Sequence, residues 1–161
     1  MSCHNAANDE TRSWIFTVAP FLERVDDVRI CPDDKNGPGR RAERLTSYVM
    51  NAYLTDEPLD LFITNINRLT AASKTLVGFE IADLKLPSIE NDHAHNHGWF
   101  TRTNLARRRV FQAIETDAAV HRHGGASHLL YADWHVAIVS AETVAEWAET
   151  QTPTDNFCIP K

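Results

Sequence analysis

Long hydrophobic runs are missing from this sequence. The longest apolar stretch, Trp14 to Leu22 (WIFTVAPFL), is interrupted by Thr17 and Pro20, and it falls short of the roughly 18 to 20 residues that a spanning helix needs. No direct membrane insertion by this chain is expected. The start also lacks the basic, apolar and small-residue regions of a secretory signal, so the chain as written reads as soluble. Cysteine is scarce and odd in number: Cys3, Cys31 and Cys158 form no C-x-x-C pair, which argues against zinc ribbons and dithiol redox chemistry. At most one intramolecular disulfide can form, Cys31 with Cys158 in an oxidising compartment, and idle thiols are the equal alternative. Excess positive charge is absent as well. With 22 acids against 16 Lys and Arg and a net charge of −6, nothing points to a nucleic-acid or anionic-lipid partner. The one basic cluster, Arg107-Arg108-Arg109, is expected on a solvated helix face. There is no glycine-rich phosphate loop, and Ser127 beside His128 has no G-x-S-x-G elbow around it.

What is present suits one globular domain: 161 residues, 43% hydrophobic and 24% charged. That domain is expected to span 1–161, with 1–12 and 152–161 peripheral. Trp14, Val18, Phe21, Leu22 and Val25 recur at helical spacing, predicting an amphipathic helix over Thr11 to Arg24, kinked at Pro20. Pro32 to Arg41 (PDDKNGPGRR) reads as loop. Leu45 to Leu54 and Thr75 to Ile81 read as strands, the first ended by Asp56-Glu57-Pro58 and the second carrying Gly78 as a bulge or close backbone approach. Ile63 to Ser73 reads as a short helix, Asp83 to Thr103 as a polar loop, and Leu105 to Ile114 as a helix. Leu129-Leu130-Tyr131 and Val136 to Val139 flank Asp133-Trp134 as the arms of a hairpin. Ser140 then caps a helix with Ala141, Val144, Ala145 and Ala148 on its apolar face. The fold class is α+β around a small antiparallel sheet, closed by a C-terminal β-hairpin and a short helix.

The segment Arg122 to Val136 (RHGGASHLLYADWHV) places nine residues between His123 and Asp133. Five blocks in order, including that one, resemble a single family. Trp14 with Pro20-Phe21-Leu22-Glu23 is similar to its tryptophan and Pro-Tyr-Leu-Glu segment, and Ile30-Cys31-Pro32-Asp33-Asp34 to its Cys-Pro-Ser-Asp block. Thr46-Ser47-Tyr48-Val49-Met50-Asn51 resembles its Thr-Ser-Tyr-x-x-Asn strand, and Ser73-Lys74-Thr75-Leu76-Val77-Gly78-Phe79-Glu80 its Ser-x-Thr-Ile-x-x-x-Glu strand. The family is the planctomycete-type, prepilin-like group with a domain of unknown function and a closing histidine, nine residues, aspartate-glycine motif. The resemblance implies a pilin-like head and a non-enzymatic, type II secretion pseudopilin-like part of the cell envelope. Its partners would be other pseudopilin-like or envelope proteins, and it would sit on the periplasmic or extracellular side of an inner-membrane anchor. That anchor helix has no counterpart here, and Met1-Ser2-Cys3-His4-Asn5-Ala6 is similar to the segment that follows it. The motif residues carried over are His123, Asp133 and Trp134. Trp134 stands where the family has glycine, and a two-residue Asp-Gly turn needs positive φ that strains tryptophan. A longer or differently registered turn is expected, with the ring folded back on the sheet or, alternatively, projecting as a contact residue. The resemblance gives His123 a structural role, tied to the turn carboxylate or nearby backbone.

Histidine is concentrated between His93 and His135. On an extended backbone His93, His95 and His97 would share one face. With His121, His123, His128 and His135 near the hairpin, and Asp92 and Asp133 as carboxylates, zinc or copper binding is conceivable. The metal candidates are His93, His95, His97, His121 and His123. Their spacing matches no specific signature, so no cofactor and no catalytic residue is expected, and calcium at His123 and Asp133 would have a poor oxygen cage. The alternative is a small His-rich metal-binding protein, including a zinc-dependent hydrolase.

Overall fold

The computed structural model describes residues 13–22, 25–55, 63 and 65–161. A five-stranded sheet organises them: β1 (Tyr48–Asn51), β2 (Leu76–Glu80), β3 (His93–Ala94), β4 (Ala126–Tyr131) and β5 (Val136–Ser140), in the order β3-β1-β2-β4-β5. β1, β2, β4 and β5 are antiparallel neighbours, and β3 joins β1 in parallel, so the α+β assignment holds while the sheet is mixed rather than purely antiparallel. Strand alternation sorts the two faces. Val49, Phe79, Leu129 and Val139 point into the core with Trp99, Phe100, Val110, Ile114, Val144 and Ala148. α4 (Val110–Asp117) and α5 (Ala141–Thr150) supply the last four of these and cover that face.

The local expectations hold where a single element decides them. Ser140 accepts a hydrogen bond from the Thr143 backbone N–H at 3.1 Å, which satisfies one of the orphan donors of the first turn of α5. Ala141, Val144 and Ala148 are buried as expected, and Ala145 is half-buried. Gly78 meets both of its readings. The β2–β4 register shifts between Leu76 and Gly78, and a Cβ at Gly78 would lie 3.0 Å from the Val49 carbonyl oxygen.

Other expectations are corrected. The first helix is shorter, α1 (Trp14–Val18) followed by a 3-10 turn at Ala19–Leu22. Its buried residue is Ile15, while Phe21 is 83% exposed. The outer parts of that helix, Thr11, Arg12, Glu23 and Arg24, lie outside the described residues, as do Asp56-Glu57-Pro58 and the segment 1–12. The loop from Pro32 to Arg41 contains α2 (Gly37–Ala42), whose Pro38 falls in the first turn, where no intrahelical donor is lost. The strand from Leu45 is confined to β1, because Ala52–Leu54 turns into a 3-10 helix capped by Asn51. Ile63 to Ser73 contains 3-10 turns at Ile66–Arg68 and Ala72–Lys74 in place of a helix. The polar region from Asp83 holds β3 and further 3-10 turns. Leu105 to Ile114 is split between α3 (Arg102–Ala106) and α4. The exposed Arg107-Arg108-Arg109 forms the break, with Arg108 at φ 53 rather than on a helix face.

In the C-terminal segment 152–161 the residues Thr152 to Asp155 are exposed, but those after them are built into the core. Cys158 is fully buried and Ile159 nearly so, the Cys158 carbonyl accepts from Asn51 Nδ2 at 2.7 Å, and the Lys161 carbonyl accepts from Thr70 and Ala71. Cys31 and Cys158 are both free thiols, so the expected alternative of a disulfide between them is not formed. Among the described residues no helix is long and apolar enough to cross a membrane.

In the β4–β5 hairpin, Leu130 faces Val136, the Tyr131 N–H donates to the His135 carbonyl, and the Trp134 N–H donates to the Tyr131 carbonyl. The loop is therefore Ala132-Asp133-Trp134, longer than two residues as expected. It is a turn followed by one left-handed residue, and that residue is Trp134 itself, at φ 71. The ring does not fold back; it is 72% exposed.

Candidate functional site

The outer face of the sheet carries a cross-strand row. Tyr48 pairs with Glu80, the His128 N–H donates to Glu80 Oε2 at 3.2 Å, and His128 pairs with Ile138. Over this row folds the loop Cys31-Pro32-Asp33-Asp34, a tight turn in which the Asp34 N–H donates to the Cys31 carbonyl at 3.0 Å. Asp34 fastens the loop. It accepts from Arg40 Nε at 2.8 Å, from Ser47 Oγ at 2.7 Å and from the Asn36 N–H at 2.9 Å. Arg122, from the segment before β4, donates to Asp83 Oδ1 at 2.6 Å and to the Ile81 carbonyl at 2.7 Å. Buried ions stay in a protein only when paired and hydrogen-bonded, and Asp34 with Arg40 meets that condition.

This frame brings His123 against two segments far away in sequence. Its Nε2 lies 2.6 Å from Glu80 Oε1 and 3.6 Å from Cys31 Sγ, and its Nδ1 lies 3.0 Å from Asp33 Oδ2. The His128 ring sits 4.4 Å from the His123 ring, centroid to centroid. Cys31 and Glu80 are buried, while His123 and Asp33 reach solvent, their side chains 21% and 60% exposed. Burial pushes the Cys31 thiol above its ordinary range, and the Glu80 carboxylate beside it adds to that. Burial also opposes ionisation of Glu80, yet the His123 hydrogen bond, the His128 N–H and the Cys31 thiol together hold its carboxyl below the usual range.

Among the described residues, Cys31, Glu80 and His123 each offer a donor atom within 4.8 Å of the others, a grouping that could hold a metal ion. Of the five histidines picked out from the sequence, only His123 belongs to it. His93 is in β3 and His97 in a 3-10 turn, so the trio does not share a strand face. The rings of His93 and His95 are nevertheless 4.9 Å apart and those of His95 and His97 6.1 Å, with His93 Nδ1 2.7 Å from Asp92 Oδ1. His121 is exposed and pairs with Glu115 at 3.1 Å. Asp133 does not meet His123 either: it lies at the far end of the hairpin and pairs with His135 at 2.5 Å, and that hydrogen bond lowers its pKa. The sequence reasoning missed Glu80, Asp33 and the convergence of Cys31 on His123. The available signal was that Cys31, Glu80 and His123 each sit in a block carrying the resemblance. No family model matches this chain, and no curated protein and no solved structure matches it.

Proposed function

We propose that this chain is a pseudopilin-like head that acts by protein contact in the cell envelope or secretion apparatus, without bond chemistry of its own. One observation supports the reading above the others. β5 is an edge strand of the sheet, and it presents Val136 at 57% and Ile138 at 72% exposure beside the equally exposed Trp134 at the turn. Edge strands are ordinarily blunted by lysine, proline or a covering element, because their free N–H and C=O groups invite another chain. Between Asp133 and Ser140 the only polar side chain is His135, so this edge is left attractive to a partner. A large aromatic flanked by branched aliphatics is also the composition of an interface centre. The ordered blocks of the resemblance fit the same reading, in which the head would lie outside the inner membrane.

Co-purification of the chain with each pseudopilin-type subunit encoded in the same genome tests this. At least one subunit is expected to be retained by the wild-type chain and lost with Ile138→Lys, which leaves the core face of β5 untouched. Retention of none by the wild type, or equal retention by Ile138→Lys, overturns the reading.

A further inference from the structure

We infer that Cys31 Sγ, Glu80 Oε1 and His123 Nε2 form a binding site for a borderline divalent transition ion, with zinc the best fit. The donor set is the first reason. Thiolate, imidazole and carboxylate are the ligands that zinc takes at roughly 2.0 to 2.3 Å. Two such ligands on a tetrahedral ion are therefore separated by roughly 3.3 to 3.6 Å, and Cys31 Sγ already lies 3.6 Å from His123 Nε2.

The second reason is how the imidazole is held. Asp33 Oδ2 stands 3.0 Å from Nδ1, where it can accept a hydrogen bond from Nδ1 when Nε2 is given to an ion. Nε2 lies 2.6 Å from Glu80 Oε1 and 3.6 Å from Cys31 Sγ, so the inner nitrogen, the carboxylate and the sulfur converge on one point. A cation at that point takes the place of the hydrogen bond between Nε2 and Glu80. A carboxylate that orients a histidine by its outer nitrogen is the usual support of a zinc-bound imidazole, and Asp33 takes that part here. His128, whose Nδ1 is 3.6 Å from Glu80 Oε2, is next in line for the fourth position. On binding, the ion replaces the Cys31 thiol proton, which passes to solvent, so metal uptake releases acid. The ligands come from the loop after Ile30, from β2 and from the segment before β4, and the ion would clamp these three parts of the chain. This inference does not rest on the protein-contact reading.

The test is cobalt(II) titration of the full, tag-free chain after removal of metal, followed by displacement with zinc. One cobalt per chain is expected, with a thiolate-to-cobalt charge-transfer band and the visible bands of a tetrahedral ion. Cys31→Ser abolishes the charge-transfer band, and His123→Gln or Glu80→Gln weakens uptake at least a hundredfold. Asp33→Asn keeps the band and weakens affinity about 10- to 100-fold. His93→Ala with His97→Ala changes neither, and circular dichroism confirms that each variant is folded. A wild-type chain that shows no charge-transfer band, a band that survives Cys31→Ser, or a band lost with the His93 and His97 pair overturns the assignment.

Discussion

Trp134 occupies a left-handed backbone position at φ 71 with its ring 72% exposed, which makes two substitutions there informative when compared with each other. Trp134→Ala and Trp134→Gly delete the same ring and lose the same contacts, so that contribution cancels between them. The Cβ that alanine keeps costs about 1–2 kcal/mol in the left-handed region, and the greater freedom of glycine in the unfolded chain returns about 0.5–1 kcal/mol of that. The glycine variant should therefore be the more stable of the two by roughly 0.5–1 kcal/mol, the reverse of their order at an ordinary position. Urea unfolding of both variants, followed by far-ultraviolet circular dichroism with equal m-values, measures the difference. An alanine variant as stable as the glycine one, or more stable, refutes the turn geometry. If the order is as expected, the wild-type chain holds a tryptophan where glycine fits with less strain, and the ring is then best accounted for by a contact outside the fold. Both variants should weaken the interaction that Ile138→Lys abolishes.

Three further outcomes follow from the packing. Asn51 is fully buried. It donates to the Leu76 and Cys158 carbonyls and accepts from the Tyr53 N–H and Asn96 Nδ2, so Asn51→Ala should lower the unfolding free energy by roughly 3–5 kcal/mol, read as a shifted urea midpoint; a loss under about 1 kcal/mol contradicts the network. Gly78→Ala sets a Cβ 3.0 Å from the Val49 carbonyl oxygen, a backbone atom of the paired strand, and should cost about 1–3 kcal/mol in the same assay, whereas an unchanged midpoint would mean that β1 and β2 separate freely. Burial opposes ionisation of Asp83, but Arg122 and Lys35 hold its pKa below the ordinary carboxylate value. Its contribution is therefore present above that ordinary value and is lost as pH falls through the lowered one. Asp83→Asn should flatten the acid side of the stability–pH curve and leave its slope above neutrality unchanged; an identical acid slope in the variant counts against the pairing.

The elements legible in the sequence are those decided by neighbours along the chain. The two apolar arms around Asp133-Trp134, the Ser140 cap and the alanine- and valine-lined face of α5 are local patterns, and all three are present. What stayed illegible depends on distant partners. β3 is a two-residue strand that exists because Met50 and Asn51 offer it an edge. α2 begins Gly-Pro-Gly, which reads as a turn until Arg40 finds Asp34 in the interior. The C-terminal residues are polar enough to pass for a tail, and their burial follows from the carbonyls they present to Asn51, Thr70 and Ala71.

The candidate site was hidden for the same reason, and histidine density pointed elsewhere. A metal reading of the sequence favours clustered histidines, since spacing is the only geometry a sequence displays. The group that converges contains one of those histidines and draws its other donors from 92 and 43 residues away. His123 was set apart by its distance to Asp133, yet its partners are Glu80, Cys31 and Asp33, and Asp133 serves the turn at the other end of the hairpin. The His–Asp spacing therefore measures the length of one β-hairpin. His123 lies before its first strand, over the cross-strand row of the sheet, and Asp133 lies in its turn, beside the exposed Trp134. The same hairpin thus joins the two surfaces on which the functional readings rest, the buried donor group at its base and the apolar edge toward its tip. Trp134 at the tip is the residue that tests the edge by itself, because Ile138 is the cross-strand partner of His128 and shares the sheet face over which the donor group lies.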